Sequence, residues 1–179
     1  MPIAVSALSG EKLAAINSSG QDIRFLSGRV PSLLAESSFG RTSPRFYIRG
    51  RGNTAVSADA AQPVSVGYDN IALESPFLKA FPAFDLENIE VLKGPQGTLF
   101  GRNTPAGVVK MDTRRPGDHA EGQAQFTVGE LGTIRGEVGV TIPATDTLSF
   151  RFAGLANHRE HWVNNAYDAS CTKPGKDVG

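Results

Sequence analysis

The texture of hydrophobic and polar positions changes near residue 117. Before it, short apolar runs alternate with Gly and Pro; after it, long segments alternate strictly. In the first part Ser9 can cap a helix over 10–16, with Glu11 in its first turn and Leu13 and Ile16 on one face. A second short helix is expected over 21–30, where Ser19 and Asp22 are spaced like a capping box and Ile23, Leu26 and Val30 line one side. Phe46-Tyr47-Ile48 is a strand signal ended by Gly50 and Gly52. The stretch from Pro63 to Leu73 reads as two short strands joined at Asp69-Asn70, a dipeptide that tolerates positive φ. Residues 76–88 read as loop with a helical turn at Asp85–Asn88. A strand from Ile89, with Ile89 and Val91 on one face, stops at Gly94-Pro95, and another from Gly107 stops at Pro116-Gly117. Together these predict an α+β unit, a small mixed sheet with a few short helices.

In the second part Ala124, Phe126 and Val128 oppose Gln123, Gln125 and Thr127. Ile134, Val138, Val140 and Ile142 oppose Thr133, Arg135, Glu137 and Thr141, and Leu148, Phe150 and Phe152 oppose Ser149 and Arg151. This predicts three strands in a meander, joined by turns around 129–133 and 143–147. Two architectures fit. The commoner is a one-faced sheet packed on a core. The other is the start of a transmembrane β-barrel, apolar outside and polar inside. Three strands alone cannot close a barrel.

Composition narrows the classes. Twenty Gly and eleven Pro in 179 residues exceed the usual combined share of roughly 12 % and suit a turn-rich fold. Eighteen basic and eighteen acidic residues leave no net charge, and with no basic block this argues against a nucleic-acid binder. The single cysteine, Cys171, excludes an internal disulfide framework and a multi-cysteine zinc site. No apolar run is long enough for a transmembrane helix. MPIAVSALSGEK lacks the charged and apolar regions of a signal peptide, which taken alone would point to the cytoplasm.

The motifs that resemble catalytic or cofactor sites fail on spacing. Gly50-x-Gly52-x-x-Ala55 follows a strand, and Asp69 lies near the spacing of a ribose-binding acid, but Pro63 cuts short the helix that a dinucleotide fingerprint must open. From Gly94 the chain looks like a phosphate loop, yet Gln96 stands where glycine is needed and Arg102 where lysine is needed. His158 and His161 flank Glu160 in a segment that reads as loop, with no third metal ligand nearby, and His119 stands alone. No nucleophile-elbow pattern places a Ser, His and Asp together. Asn17-Ser18-Ser19 is a glycosylation sequon of a kind that occurs often by chance. No enzyme and no cofactor is expected.

The stretch FDLENIEVLKGPQGTLFGRNTPAGVVKMDTRRP, residues 84–116, resembles the plug domain of TonB-dependent outer-membrane receptors. The ordered set Ile89-Glu90, Lys93-Gly94-Pro95, Leu99, Gly101, Pro105-Ala106-Gly107 and Arg115-Pro116 carries the resemblance. PIAVSALSGEKL at Pro2, FYIRGRGN at Phe46 and PVSVGYDNIAL at Pro63 are similar to the same family in the same order. In the last, Gly67 stands where an aromatic is usual and Asn70 where a glycine is usual. The likeness covers essentially residues 2–160.

The resemblance implies a plug over 1–117, followed over 118–179 by the first three antiparallel strands of a transmembrane β-barrel, with a loop beginning at HWVNNAYDAS. It implies the N-terminal part of a receptor for energised uptake of a scarce nutrient, such as a ferric siderophore, across the outer membrane of a Gram-negative bacterium. The implied partners are TonB, through a segment expected before residue 1, the remainder of the barrel, the membrane and the nutrient; nucleic acid is not among them. By resemblance, Arg49 and Arg102 match plug arginines that pair with barrel glutamates to latch the plug, and Glu90 pairs within the plug. Arg51, Asn53, Glu74, Ser75 and Phe77 are ligand-facing candidates on apical loops. Without a signal sequence, a TonB-engaging segment or most of a barrel, the chain is expected to be a fragment. The alternatives are a free-standing plug-like periplasmic binding module and a nucleotide-dependent enzyme resting on Gly50–Ala55.

Overall fold

The computed structural model describes residues 4–10, 13, 23–37, 43–52, 62–80, 82–101, 103–130 and 132–160. Most of the helix expected over 10–16, the capping box at Ser19, the sequon at Asn17, and Asn53, Ala55, Arg102, His161 and Cys171 lie outside them.

Among the described residues ten strands form three sheets. The largest joins β1 (Ala4–Ser9), β4 (Val64–Tyr68), β5 (Ile71–Leu73), β6 (Leu86–Lys93) and β7 (Gly107–Thr113) in the order β1-β6-β7-β4-β5. It is mixed as expected: β4 runs parallel to β7, and the other pairs are antiparallel. Val108 and Val109, successive on β7, are both buried, as are Val64, Ser65 and Val66 in succession on β4. Such runs belong to the centre of a sheet covered on both faces. Asp69 and Asn70 have φ of 47° and 69°. Two positive values are what a type I′ turn requires, so the β4–β5 hairpin closes where the sequence placed it.

A second, two-stranded sheet pairs β2 (Leu33–Ser37) with β3 (Pro44–Ile48). The helix expected over 21–30 is a shorter 3-10 turn, Ile23–Gly28. Its Ser27 hydroxyl donates to the Ala35 carbonyl at 3.0 Å and fixes the turn against β2. Ile23, Leu26 and Val30 are buried together as the spacing predicted.

The helical turn expected at Asp85–Asn88 is absent, because β6 begins at Leu86. Asp85 has φ 51°, incompatible with a right-handed turn, and Leu86 faces Thr113 in the sheet. Sheet pairing along β6 outweighs the local preference of a four-residue window. One helical turn, α1 (Gly97–Phe100), lies between β6 and β7.

The third sheet is the expected meander: β8 (Glu121–Gly129), β9 (Thr133–Thr145) and β10 (Leu148–His158), ordered β10-β9-β8 and antiparallel throughout. β9 runs past the anticipated turn at 143, with a register irregularity between Leu148 and Ser149. Its apolar face does not pack on a core. Phe126 is 71 % exposed and Phe152 63 %, with Val138, Ile142 and Phe150 also exposed, while Arg135, Glu137 and Thr141 on the other face are buried. Among the described residues the hydrophobic core is drawn entirely from those up to Met111. The commoner of the two architectures is thereby corrected: the sheet docks on the rest of the chain through its polar face. Among the described residues no helix is long and apolar enough to cross a membrane.

Candidate functional site

Strand direction sorts the loops of the five-stranded sheet to two ends. Val64 and Lys93 both face Gly107, and Leu73 faces Val66, so the segments before β4, after β5 and between β6 and β7 share one end. Tyr68 faces Met111 and Leu86 faces Thr113, so Asp69, Asp85 and the start of the link to β8 share the other.

The second end holds a dense polar cluster. Arg151 on β10 grips Asp85 with both sides of its fork, Nε to Oδ2 at 2.7 Å and Nη2 to Oδ1 at 2.5 Å. The two side chains are only 6 % and 5 % exposed. Bidentate geometry of this kind gives the strongest form of an ion pair. Gln123 Nε2 on β8 donates to Asp85 Oδ1 at 2.8 Å, and Arg151 Nη1 donates to Thr141 Oγ1 at 2.7 Å. The Asp85 backbone N–H donates to Glu137 Oε1 at 2.7 Å, and its carbonyl accepts from the Arg114 N–H at 2.9 Å. Glu137 accepts at its other oxygen from Arg135 Nη2 at 3.2 Å, which also reaches the Ala83 carbonyl at 3.3 Å. A buried charge needs such compensation to be tolerated at all.

The strands leave room for this cluster at Gly139 on β9. A Cβ there would lie 2.8 Å from Arg151 Nη2, 3.1 Å from Asp85 Oδ1 and 3.2 Å from Gln123 Nε2. Close by, Asp69 accepts from the Thr113 N–H at 2.8 Å and from its hydroxyl at 2.7 Å, tying the β4–β5 turn to the end of β7. Burial, with the Asp69, Asp85 and Glu137 carboxylates adding to it, pushes the Tyr68 phenol up to about 12.

At the first end, Glu74 and Phe77 are exposed and Ser75 is half-buried, its carbonyl accepting from the Leu78 N–H at 3.1 Å. Beneath them Lys79 is buried, its Nζ donating to the Val64 carbonyl at 3.0 Å. Burial brings its amine down to about 8, against the opposing pull of Glu74. Arg49 and Arg51 are exposed on the turn after β3. Arg49 has φ 52°, uncommon for a long side chain, and its N–H donates to the Ser32 carbonyl at 2.9 Å. The Ile48 side chain reaches Gly107, which places the end of β3 on this side too. Glu90 sits apart, half-buried within β6 between Ala7 and Lys110.

The structure thus brings Glu74, Ser75 and Phe77 together and leaves Glu90 in the sheet. The Asp85 cluster was missed. Its signal was present in the charges on the polar face, Arg135, Glu137 and Arg151, but a solvated sheet face has the same pattern. Asp85 itself falls just before a strand, where periodicity says nothing. Among the described residues no group of three or more His, Cys, Asp or Glu could hold a metal ion.

A mixed-sheet body is thus docked through buried charges on a sheet whose apolar face points outward. A family model, the TonB-dependent Receptor Plug Domain, matches residues 1–108, and the chain belongs to that family. It is 33 % identical over 75 residues to the ferrioxamine receptor of Yersinia enterocolitica, a match covering 42 % of this chain and 11 % of that protein. It is 34 % identical over 82 residues to the ferric enterobactin receptor PirA of Pseudomonas aeruginosa, covering 42 % and 11 %. The matched part of the chain therefore spans about a tenth of the length of these curated relatives. In fold it is similar to the ferric yersiniabactin uptake receptor FyuA of Yersinia pestis, with a TM-score of 0.72 and 21 % identity over 84 % of this chain and 24 % of that one. The ferric-catecholate import receptor Fiu of Escherichia coli K12 gives 0.65 and 20 % over 89 % and 22 %.

Proposed function

We propose that this chain is the N-terminal part of an energised outer-membrane transporter for a ferric siderophore, with its plug over about 1–117 and its first barrel strands after that. The observation that carries the reading is the sidedness of β8–β10: an apolar face turned outward and a charged face turned onto the plug domain. A barrel wall in a bilayer needs that arrangement, and a sheet in a water-soluble domain has the reverse. The siderophore names carried by the relatives support the ligand class. In this reading the end bearing Arg51, Glu74, Ser75 and Phe77 faces outside and receives ligand together with Asn53. Arg49 and Arg102 latch onto barrel glutamates, Glu90 acts within the plug, and TonB engages a segment ahead of it from the periplasm. No cofactor or chemical conversion is involved.

The test is uptake of radiolabelled iron, supplied as ferrioxamine or ferric enterobactin, by a receptor-deficient Gram-negative strain expressing the complete receptor that carries this sequence. Uptake that disappears when TonB is deleted is expected. A receptor present in the outer membrane that takes up neither complex, nor any other ferric siderophore tried, overturns the reading. The free-standing module fares worse, because the apolar face and open edges of β8–β10 favour aggregation in water.

A further inference from the structure

We infer that the Asp85 corner is a fixed anchor, which stays docked on β8–β10 while the rest of the plug domain moves. The inference rests on the transporter reading, and it separates this contact from the releasable latch assigned to Arg49 and Arg102. Three observations carry it. First, both backbone polar atoms and both carboxylate oxygens of Asp85 are bonded, to Glu137, Arg114, Arg151 and Gln123. Releasing the corner would therefore strip several partners at once and strand two buried charges. Second, the site is shaped in advance. Gly139 alone lets the Asp85 carboxylate, the Arg151 guanidinium and the Gln123 amide converge, since any Cβ would fall within about 3 Å of all three.

Third, the anchor coincides with the covalent tether. Arg114 follows directly on the last residue of β7, bonds to the Asp85 carbonyl, and opens the short link to Glu121 at the start of β8. Clamp and chain connection meet at one residue, so this corner has little freedom to swing away. The loops offered to ligand lie at the opposite end of the sheet, where opening can proceed without disturbing it. The polarity is also reversed: here the plug supplies the carboxylate and the strands supply the arginine.

The test bridges the corner covalently in the complete receptor. Asp85→Cys and Arg151→Cys, in a Cys171→Ser background, exchange the ion pair for two facing thiols, leave neither charge of that pair stranded, and can be joined by a short bifunctional thiosulfonate. The bridged receptor should take up ferric siderophore within twofold of its own reduced form. A loss of tenfold or more on bridging, restored by reductant, overturns the anchor. Failure of the unsubstituted receptor to take up any siderophore sinks the transporter reading instead. The anchor is then judged by amide hydrogen exchange on the unsubstituted chain in detergent, which also serves if the double-cysteine receptor does not assemble. The Asp85 and Arg114 amides should exchange at least tenfold more slowly than those of the edge strand β1. Exchange as fast as β1 overturns the proposal.

Discussion

Replacing Arg151 with Met should open the corner between the plug domain and the strands. Among the described residues, the substitution leaves Asp85 Oδ2 without a donor and Oδ1 with Gln123 alone. Removing one partner of a buried pair costs about 3–5 kcal/mol. A cleft lined by Asp85, Leu86, Arg114 and Gln123 adjoins the site and lets water relieve part of the charge, which favours the lower figure. About 3 kcal/mol is roughly a hundredfold in the open population. Trypsin reads that population at Arg114, whose backbone is held by Asp85 and whose Nε is buried. Cleavage there should accelerate about a hundredfold for Arg151→Met, since proteolysis tracks the opened state when reclosing is fast. Asp85→Asn, which tolerates the positive φ, should have a comparable effect. The double variant leaves neither charge of this pair stranded, so it should cut more slowly than the product of the two single effects by at least tenfold. Effects that simply multiply, or an Arg151→Met rate within threefold of the parent, would refute the assignment of this pair as the docking contact.

Gly107→Ala should lower the urea midpoint of the chain, followed by circular dichroism, by an equivalent of at least about 2 kcal/mol, because φ is 151° and the new methyl would press on the Leu92 carbonyl and the Ile48 side chain. Lys79 is held near 8 against an ordinary 10.5, so the unfolded chain binds the extra proton and stability should rise by up to about 3 kcal/mol between those values; Lys79→Met should abolish the rise in urea titrations taken across that range. Tyr68, raised from 10.0 to about 12, acts in the opposite sense, so stability should fall above pH 10, and Tyr68→Phe should remove that component. On the barrel reading proposed above, Phe152→Arg should leave trypsin resistance at Arg114 unchanged while cutting insertion into lipid vesicles at least tenfold, since an arginine facing the bilayer midplane costs about 2–4 kcal/mol; lost docking with unchanged insertion would contradict that reading.

The parts of the fold legible in the sequence were those where one physical cue acts alone. Asp69-Asn70 fixed a turn because two consecutive positive φ values admit few residue pairs. Phe126, Val128 and Phe152 marked strand faces because alternation has one geometric meaning. Which way those faces point was not legible from alternation, since water and hydrocarbon exchange the roles of the same pattern; the family resemblance supplied the direction. β2 gave no clear signal because Leu33 and Leu34 are successive apolar residues, of which only Leu33 is buried. Asp85 was misplaced because its conformation is imposed by Glu137, Gln123 and Arg151, all far along the chain. Ion pairs between distant segments leave no periodic trace, and Gly139 reads as an ordinary strand glycine until the pair above it is seen.

The register of β1 has a consequence for the order of folding. Ala4 faces Lys93 and Ser9 faces Asn88, so among the described residues β1 pairs with a strand about eighty residues further along the chain. β4 likewise meets β7 only after the hairpin and β6 have been made. Contacts of such sequence separation carry a large loop-closure cost before any reward, and chains dominated by them fold slowly. The residues of β1 must therefore wait, without their sheet partner, until residue 93 is available. A chain that stays open in this way remains threadable, and the sheet order itself delays premature folding until almost the whole domain has been delivered.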